Sequence, residues 1–261
     1  MKMLKNSIRP VKWLSATLFA VLIMAFPLVM RAQESAKVKN IILVHGAFAD
    51  GSGWESVYRI LAAKGYHVTA LQYPMTSLED DVAALNRAID KQDGPTILVG
   101  HSYGGVIITE AGVSSKVTAL VYVAAFEPDA GESLVTLVQT APAAPENGIL
   151  APDDKGFVYY DEAKFHAGFA GDLPKEKTAF MYASQGAISA KCFTTPVTHA
   201  AWKEKPSYAI LTTDDKSINP VIQENMVKRS GAKVTRIKAS HVVFISHPKE
   251  VAAVIETAAK H

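Results

Sequence analysis

The chain is short of most features that would commit it to a specialised chemistry. Of its 261 residues only one is a cysteine, Cys192, so an intramolecular disulfide framework and a cysteine-rich zinc site are both excluded. Basic residues are not in surplus. There are 27 Lys and Arg against 25 Asp and Glu, and five of the basic residues (Lys2, Lys5, Arg9, Lys12, Arg31) fall in the first 32 positions, which hold no acid. The remaining body carries 22 basic and 25 acidic residues, a net of −3, the wrong sign for a nucleic-acid binder. No G-x-x-x-x-G-K-[ST], G-x-G-x-x-G or H-E-x-x-H pattern occurs, which argues against a nucleotide-phosphate cradle and a catalytic metal. Internal repeats and low-complexity tracts are absent as well. The overall balance, 49% apolar and 20% charged, is that of an ordinary globular protein.

One apolar run is long enough to matter to a membrane. Trp13 to Met30 contains only Ser15, Thr17 and Pro27 as non-apolar residues, and four cations precede it. A charged n-region followed by an apolar h-region is the pattern of a secretory signal, with Ala32 before a cut at Gln33. Residues 1–32 are therefore expected to be a signal peptide, the alternative being a retained membrane anchor. Either way the body is expected outside the cytoplasm, periplasmic or secreted, with Cys192 a buried small hydrophobe rather than a redox centre.

The body alternates strand and helix patterns. Asn40–His45, His67–Gln72, Thr96–Gly100 and Val117–Ala124 read as strands, the first and the last two as continuous apolar runs of buried strands. Between them, Trp54–Lys64 has helical spacing, with Trp54, Val57, Tyr58, Leu61 and Ala62 on one face. Ser77–Lys91 reads as a helix capped by Ser77, and a third helix spans about 105–112. This alternation implies βαβ units around a parallel sheet. The rhythm breaks at Phe126 and returns with Tyr208–Thr212, a helix over Pro220–Arg229, the strand Lys233–Lys238 and a last helix over Pro248–Lys260. An interruption of this length is too long for a plain loop. Residues 126–205 are expected to form a cap inserted into a core made of 33–125 and 206–261.

The chemistry concentrates in Thr96–Gly105, TILVGHSYGG. Gly100-His101-Ser102-Tyr103-Gly104 fits G-x-S-x-G between a buried strand and a helix, where the sharp turn strains Ser102 and exposes its hydroxyl. Such a hydroxyl needs a base, and the base needs an orienting carboxylate. His241 follows the last strand, at the sheet edge where catalytic groups collect. His247 is a weaker candidate, beside Pro248 at a helix start. Asp214 and Asp215 end the strand Tyr208–Thr212, giving the order Ser, Asp, His. Backbone N–H donors for an oxyanion are expected at Tyr103, directly after the serine, and at Ala47, in the loop His45-Gly46-Ala47-Phe48.

Together these residues resemble the α/β-hydrolase superfamily. HGAFADGSGW (His45–Trp54), GHSYGG (Gly100–Gly105), TTDDKSINP (Thr212–Pro220) and SHVVFISHP (Ser240–Pro248) occur in that superfamily's order and span nearly the whole body. Within it, the chain most resembles the small capped branch of plant methyl esterases, hydroxynitrile lyases and bacterial esterase-like proteins. The resemblance implies an α/β-hydrolase fold with a mostly parallel sheet of about six strands flanked by helices. It also implies Asp215 as the acid, with Asp214 second, His241 as base, and Ala47 and Tyr103 as oxyanion donors.

The function so implied is hydrolysis of a small carboxylic ester through an acyl-enzyme on Ser102, with no cofactor and no metal. The expected partner is a small-molecule ester, with no nucleic acid, and a membrane only if residues 1–32 are retained. Two alternatives stand beside it: a hydroxynitrile-lyase-like carbon–carbon lyase, and a non-catalytic binder of small ligands. The lyases of this branch typically carry Thr at the place of Gly46 and Lys after the histidine, where this chain has Val242. Phe126, Leu134, Leu137, Phe157, Tyr159, Phe165, Phe169 and Phe180 are candidates for the pocket wall in the cap.

Overall fold

The structure, a computed structural model, describes residues 38–260. The signal or anchor expected over residues 1–32 lies outside the described residues. The strands are β1 (Asn40–Val44), β2 (His67–Leu71), β3 (Thr96–His101), β4 (Val117–Val123), β5 (Phe157–Val158), β6 (Ile188–Ser189), β7 (Ser207–Thr212) and β8 (Lys233–Ile237). Six of them form one sheet in the order β2-β1-β3-β4-β7-β8, and every neighbouring pair is parallel. β1 and β3 are buried at every residue, as expected for strands covered by helices on both faces. The edge strands β2 and β8 are partly exposed, which is why their sequences mix polar and apolar residues.

The flanking helices are α1 (Glu55–Ala63), α2 (Leu78–Asp90), α3 (Gly104–Ala111), α8 (Pro220–Ser230) and α10 (Pro248–Ala258), with a short α9 (Val243–Ser246) before the last. Local chemistry sets their ends. The Ser77 hydroxyl accepts the Asp80 N–H at 3.1 Å and starts α2. Proline opens α8, and Gly231, at φ 71°, closes it. On α1 the buried stripe is Trp54, Val57 and Leu61, narrower than the sequence suggests. Tyr58 lies outside it, 43% exposed.

Between β4 and β7 the chain leaves the sheet for the segment that interrupts the βα rhythm. It carries α4 (Leu134–Val138), α5 (Glu162–Phe169), α6 (Lys175–Ala183), α7 (Lys191–Thr194) and the antiparallel pair β5–β6. Its side chains join the same apolar core as the sheet, through Tyr160, Phe165, Phe169, Ile188 and Cys192. The chain runs from β1 to β2 on one side, then places β3 on the other side of β1. In parallel sheets such a reversal opens a crevice beyond the C-terminal strand ends. Among the described residues, no helix is long and apolar enough to cross a membrane.

Candidate active site

Four loops meet at that crevice: those after β1, β3, β7 and β8. The β3 loop carries Ser102, whose φ of 51° lies in the left-handed region that side chains other than glycine seldom adopt. The turn is held on both sides. Ser102 N–H donates to the Val123 carbonyl at 3.4 Å, while its own carbonyl accepts from the Gly105 and Phe126 N–H groups at 3.0 and 3.2 Å. A strained residue persists only where its surroundings determine it in this way. The close turn also needs Gly104, where an added Cβ would fall 2.5 Å from the His45 carbonyl oxygen.

The loop after β7 places Asp215 fully out of water. Its Oδ1 accepts the Ser217 and Ile218 N–H groups at 2.8 and 2.9 Å. Its Oδ2 accepts the Thr212 hydroxyl at 2.9 Å, the Gln223 amide at 3.0 Å and His241 Nδ1 at 2.9 Å. Five donors converge on one carboxylate, so the imidazole carries its proton on Nδ1 and leaves Nε2 as the acceptor face. Asp214 is exposed, and its N–H donates to the Ala239 carbonyl at 3.3 Å. Of the two aspartates, Asp215 is the one that reaches the histidine. His247 pairs with the Ser246 hydroxyl at 2.9 Å and does not line the cavity described below.

The His241 ring is enclosed. His101 lies 4.6 Å away between ring centroids, and Phe169 meets it edge-on at 5.2 Å. His101 Nε2 donates to the His241 carbonyl at 3.0 Å, tying the β8 loop to β3. Burial, and then the nearby His241, push the pKa of His101 well below the usual histidine range. Burial likewise lowers His45 to about 4. These two neighbours are neutral spacers around the site at ordinary pH. Gly46 fits between them and the serine, since a Cβ there would stand 2.7 Å from Ser102 Cβ.

Ser102, His241, Ala47 and Tyr103 all line one cavity of about 240 Å³. Neither the Ala47 nor the Tyr103 N–H has a hydrogen-bond acceptor among the described residues. The rest of the wall is apolar except for Asn147, Ser217 and Asn219. Of the expected wall residues, Phe126, Leu134 and Phe169 line it, while Leu137, Phe157, Tyr159, Phe165 and Phe180 do not. Phe165 and Leu137 are buried in the packing behind the wall, and Phe180 stands 74% exposed on α6. Tyr160, Phe193, Ile218 and Ile222 take the missing places.

A sequence profile described as the alpha/beta hydrolase family matches residues 41–254. The chain belongs to that family. It is 28% identical over 243 residues to the alpha/beta hydrolase nvfD of Aspergillus novofumigatus, covering 84% of this chain and 96% of the relative. A pyrethroid hydrolase of Sphingobium wenxiniae is 27% identical over 244 residues, covering 84% and 86%. Among solved structures, one of pyrethroid hydrolase PytH superposes with a TM-score of 0.75 at 25% identity, over 85% of this chain and 98% of that one. Polyneuridine aldehyde esterase shares the fold at a TM-score of 0.73 and 19% identity, over 84% and 99%.

Three residues of this alpha/beta hydrolase escape a reading of the sequence. Gln223 faces inward from α8 and donates to Asp215; its signal is a buried amide on the inner face of the helix after the acid. Asp81 turns inward from the first turn of α2 to accept the Tyr103 hydroxyl at 2.8 Å and the Met75 N–H at 2.8 Å. Burial raises its pKa to about 6 against those hydrogen bonds. Asp172 reaches Ser240 from the segment between α5 and α6, at 3.0 Å from its N–H and 2.5 Å from its hydroxyl. Cys192 is buried against Asp81, its Sγ 3.6 Å from Oδ2, and burial pushes its pKa up to about 12.

Proposed function

We propose that this alpha/beta hydrolase cleaves a small, uncharged carboxylic ester by acyl transfer to Ser102. The observation that carries the reading is the buried Asp215–His241 pair, 2.9 Å apart, on the same cavity as a serine held at φ 51°. In this reading the Ser102 hydroxyl attacks the ester carbonyl while His241 Nε2 takes its proton. Asp215 holds the imidazole in the required tautomer and stabilises the imidazolium that forms. The free N–H groups of Ala47 and Tyr103 receive the oxyanion. Collapse expels the alcohol, which takes the proton from His241. Water, activated by the same imidazole, then releases the acid.

The cavity narrows the substrate. No Lys, Arg, Asp or Glu lines it, so a charged acyl group would be desolvated without a partner. An apolar cavity of roughly 150 Å³ holds benzene. By that scale, 240 Å³ admits one ring or a short alkyl chain beside the ester. The names of the relatives, a pyrethroid hydrolase and Arabidopsis thaliana methylesterases, support ester chemistry. The segment over the sheet would act as the cap, since Tyr160, Phe169 and Phe193 from it form part of the wall.

The lyase reading loses ground on steric grounds. A threonine in place of Gly46 would drive its Cβ into Ser102, and a lysine in place of the fully buried Val242 would have no water to reach. Turnover of p-nitrophenyl esters from acetyl to decanoyl tests the proposal. Activity should peak at short to medium chains and vanish in Ser102→Ala. A folded protein without serine-dependent turnover of any ester would leave a ligand binder. We also propose export, on the strength of the charged and apolar leader. Recovery of the unprocessed chain entirely in the cytoplasm would reject it.

A further inference from the structure

The segment Gly168–Asp172, between the last turn of α5 and the start of α6, touches every loop that holds the acid and the base. Gly168 offers its carbonyl to the Ser217 hydroxyl at 2.9 Å, and Ser217 N–H in turn donates to Asp215. Phe169 packs edge-on against the His241 ring at 5.2 Å and also lines the cavity. Asp172 accepts both the N–H and the hydroxyl of Ser240, the residue directly before His241, at 3.0 and 2.5 Å. The Ser240 oxygen is in addition 3.4 Å from the Val242 N–H, on the other side of the histidine.

We propose that Asp172 is a positioning residue for His241: its carboxylate clasps Ser240 and so fixes the backbone from which the imidazole reaches Asp215 and faces the cavity it shares with Ser102. This rests on the reading of His241 as the base. The loop concerned is short, running from the end of β8 at Ile237 to the start of α9 at Val243. Besides the Asp214 N–H bond to the Ala239 carbonyl, two external anchors flank the histidine: the His101 bond to the His241 carbonyl and the Asp172 bonds to Ser240. The first anchor comes from the sheet and the second from the inserted segment. The ring orientation of His241 is therefore set jointly by the core and by the segment that walls the cavity.

Chemistry favours a carboxylate in this place. An ionised acceptor makes shorter and stronger bonds than a neutral one, and its two oxygens suit two donors on one residue. Burial works to raise the Asp172 carboxyl, but hydrogen bonds from Ser240, Ser246 and its own backbone together outweigh it and hold its pKa below the ordinary value. It is thus an anion through the neutral range. The His241 ring itself meets Asp215 from the β7 loop, the neutral His101 from β3 and Phe169 from α5.

The test uses full-length protein carrying Asp172→Asn, Ser240→Ala or both, assayed on p-nitrophenyl butyrate across pH. Asp172→Asn should lower kcat roughly ten- to hundred-fold, as a small misplacement of a catalytic group does, with KM changed less than about threefold. Ser240→Ala keeps the backbone donor and should lose less. The double variant should be no worse than Asp172→Asn alone, since the Ser240 hydroxyl acts through the carboxylate.

Unchanged kcat in Asp172→Asn would overturn the proposal. So would a fall in kcat accompanied by a lower Tm and an equally raised KM, which is the mark of a purely structural tie. If the wild type shows no serine-dependent turnover, the ester reading fails while the clasp can still be read. The Nδ1 proton of His241, bonded to Asp215, gives a downfield NMR resonance. It should sharpen in the wild type and broaden by exchange in Asp172→Asn, and equal line widths would reject the clasp.

Discussion

Replacing Asp215 by asparagine is the most informative single change, because the geometry dictates what the new side chain must do. The two backbone donors Ser217 and Ile218, at 2.8 and 2.9 Å, demand an oxygen at the Oδ1 position. The amide NH₂ is then forced to the Oδ2 position, where it meets the Thr212 hydroxyl, the Gln223 amide and His241 Nδ1. The hydroxyl can rotate to accept. His241 can keep a hydrogen bond only by presenting a bare Nδ1, which moves its proton to Nε2. A protonated Nε2 cannot take the proton of Ser102. The wrong tautomer in a Ser-His-Asp arrangement costs on the order of 10⁴ in kcat, equivalent to about 5.5 kcal/mol of barrier. The expected result with p-nitrophenyl butyrate is that loss, with KM nearly unchanged and a Tm a few degrees lower. Asp214→Asn, on the exposed neighbour, should retain activity within a factor of two. Activity of Asp215→Asn within tenfold of wild type, or a greater loss in Asp214→Asn, would refute the reasoning.

Further expectations follow from the same contacts. Ser102→Gly should abolish turnover yet raise stability by about 0.5–1 kcal/mol, since glycine carries no penalty at φ 51°; thermal melts of the two proteins decide it. Gly46→Ala should cut kcat at least a hundredfold and lower Tm, because the new methyl would stand 2.7 Å from Ser102 Cβ; full activity would mean that the loop is not fixed against the serine. Glu127 is buried, and burial raises its carboxyl to about 8 although Ser230 and Arg229 partly offset the effect. Below about pH 4.5 both folded and unfolded states carry the proton, and stability is complete. As pH rises towards 8 the unfolded chain ionises first, so stability falls by up to about 4 kcal/mol. Glu127→Gln does not titrate, and its Tm relative to wild type should climb steadily from pH 5 to 8.

Much of this molecule is written locally. NIILV, TILVG and VTALVYV are short apolar runs that read as buried strands, and the G-x-S-x-G turn between one of them and a helix marks the serine. The order Ser102, Asp215, His241 places each at a strand end of the same sheet, so the crevice follows from topology. The interrupting segment is harder, because its short helices carry weak periodicity and its pairs of residues are distant in sequence. At β5 the run Phe157-Val158-Tyr159-Tyr160 is apolar or aromatic throughout, so the sequence does not say which residues face inward. Phe157 and Tyr159 are expected at the wall, whereas Val158 and Tyr160 are the buried pair, and Tyr159 is 41% exposed. A slip of one residue exchanges the two faces of a strand. Asp172 has no local signal at all, since its partner lies 68 residues away. Gln223 was within reach, as a polar residue among Ile222, Met226 and Val227 on the inner face of α8.

The central claim is that Ser102 becomes acylated. Mixing the protein with p-nitrophenyl butyrate, quenching in acid and mapping the peptides by mass spectrometry reads that event directly. The account expects a butyryl group on the peptide containing Ser102, appearing with a burst of p-nitrophenol and absent from Ser102→Ala. Turnover that persists in Ser102→Ala, or ester cleavage by the wild type with the acyl group carried on another residue, would contradict it.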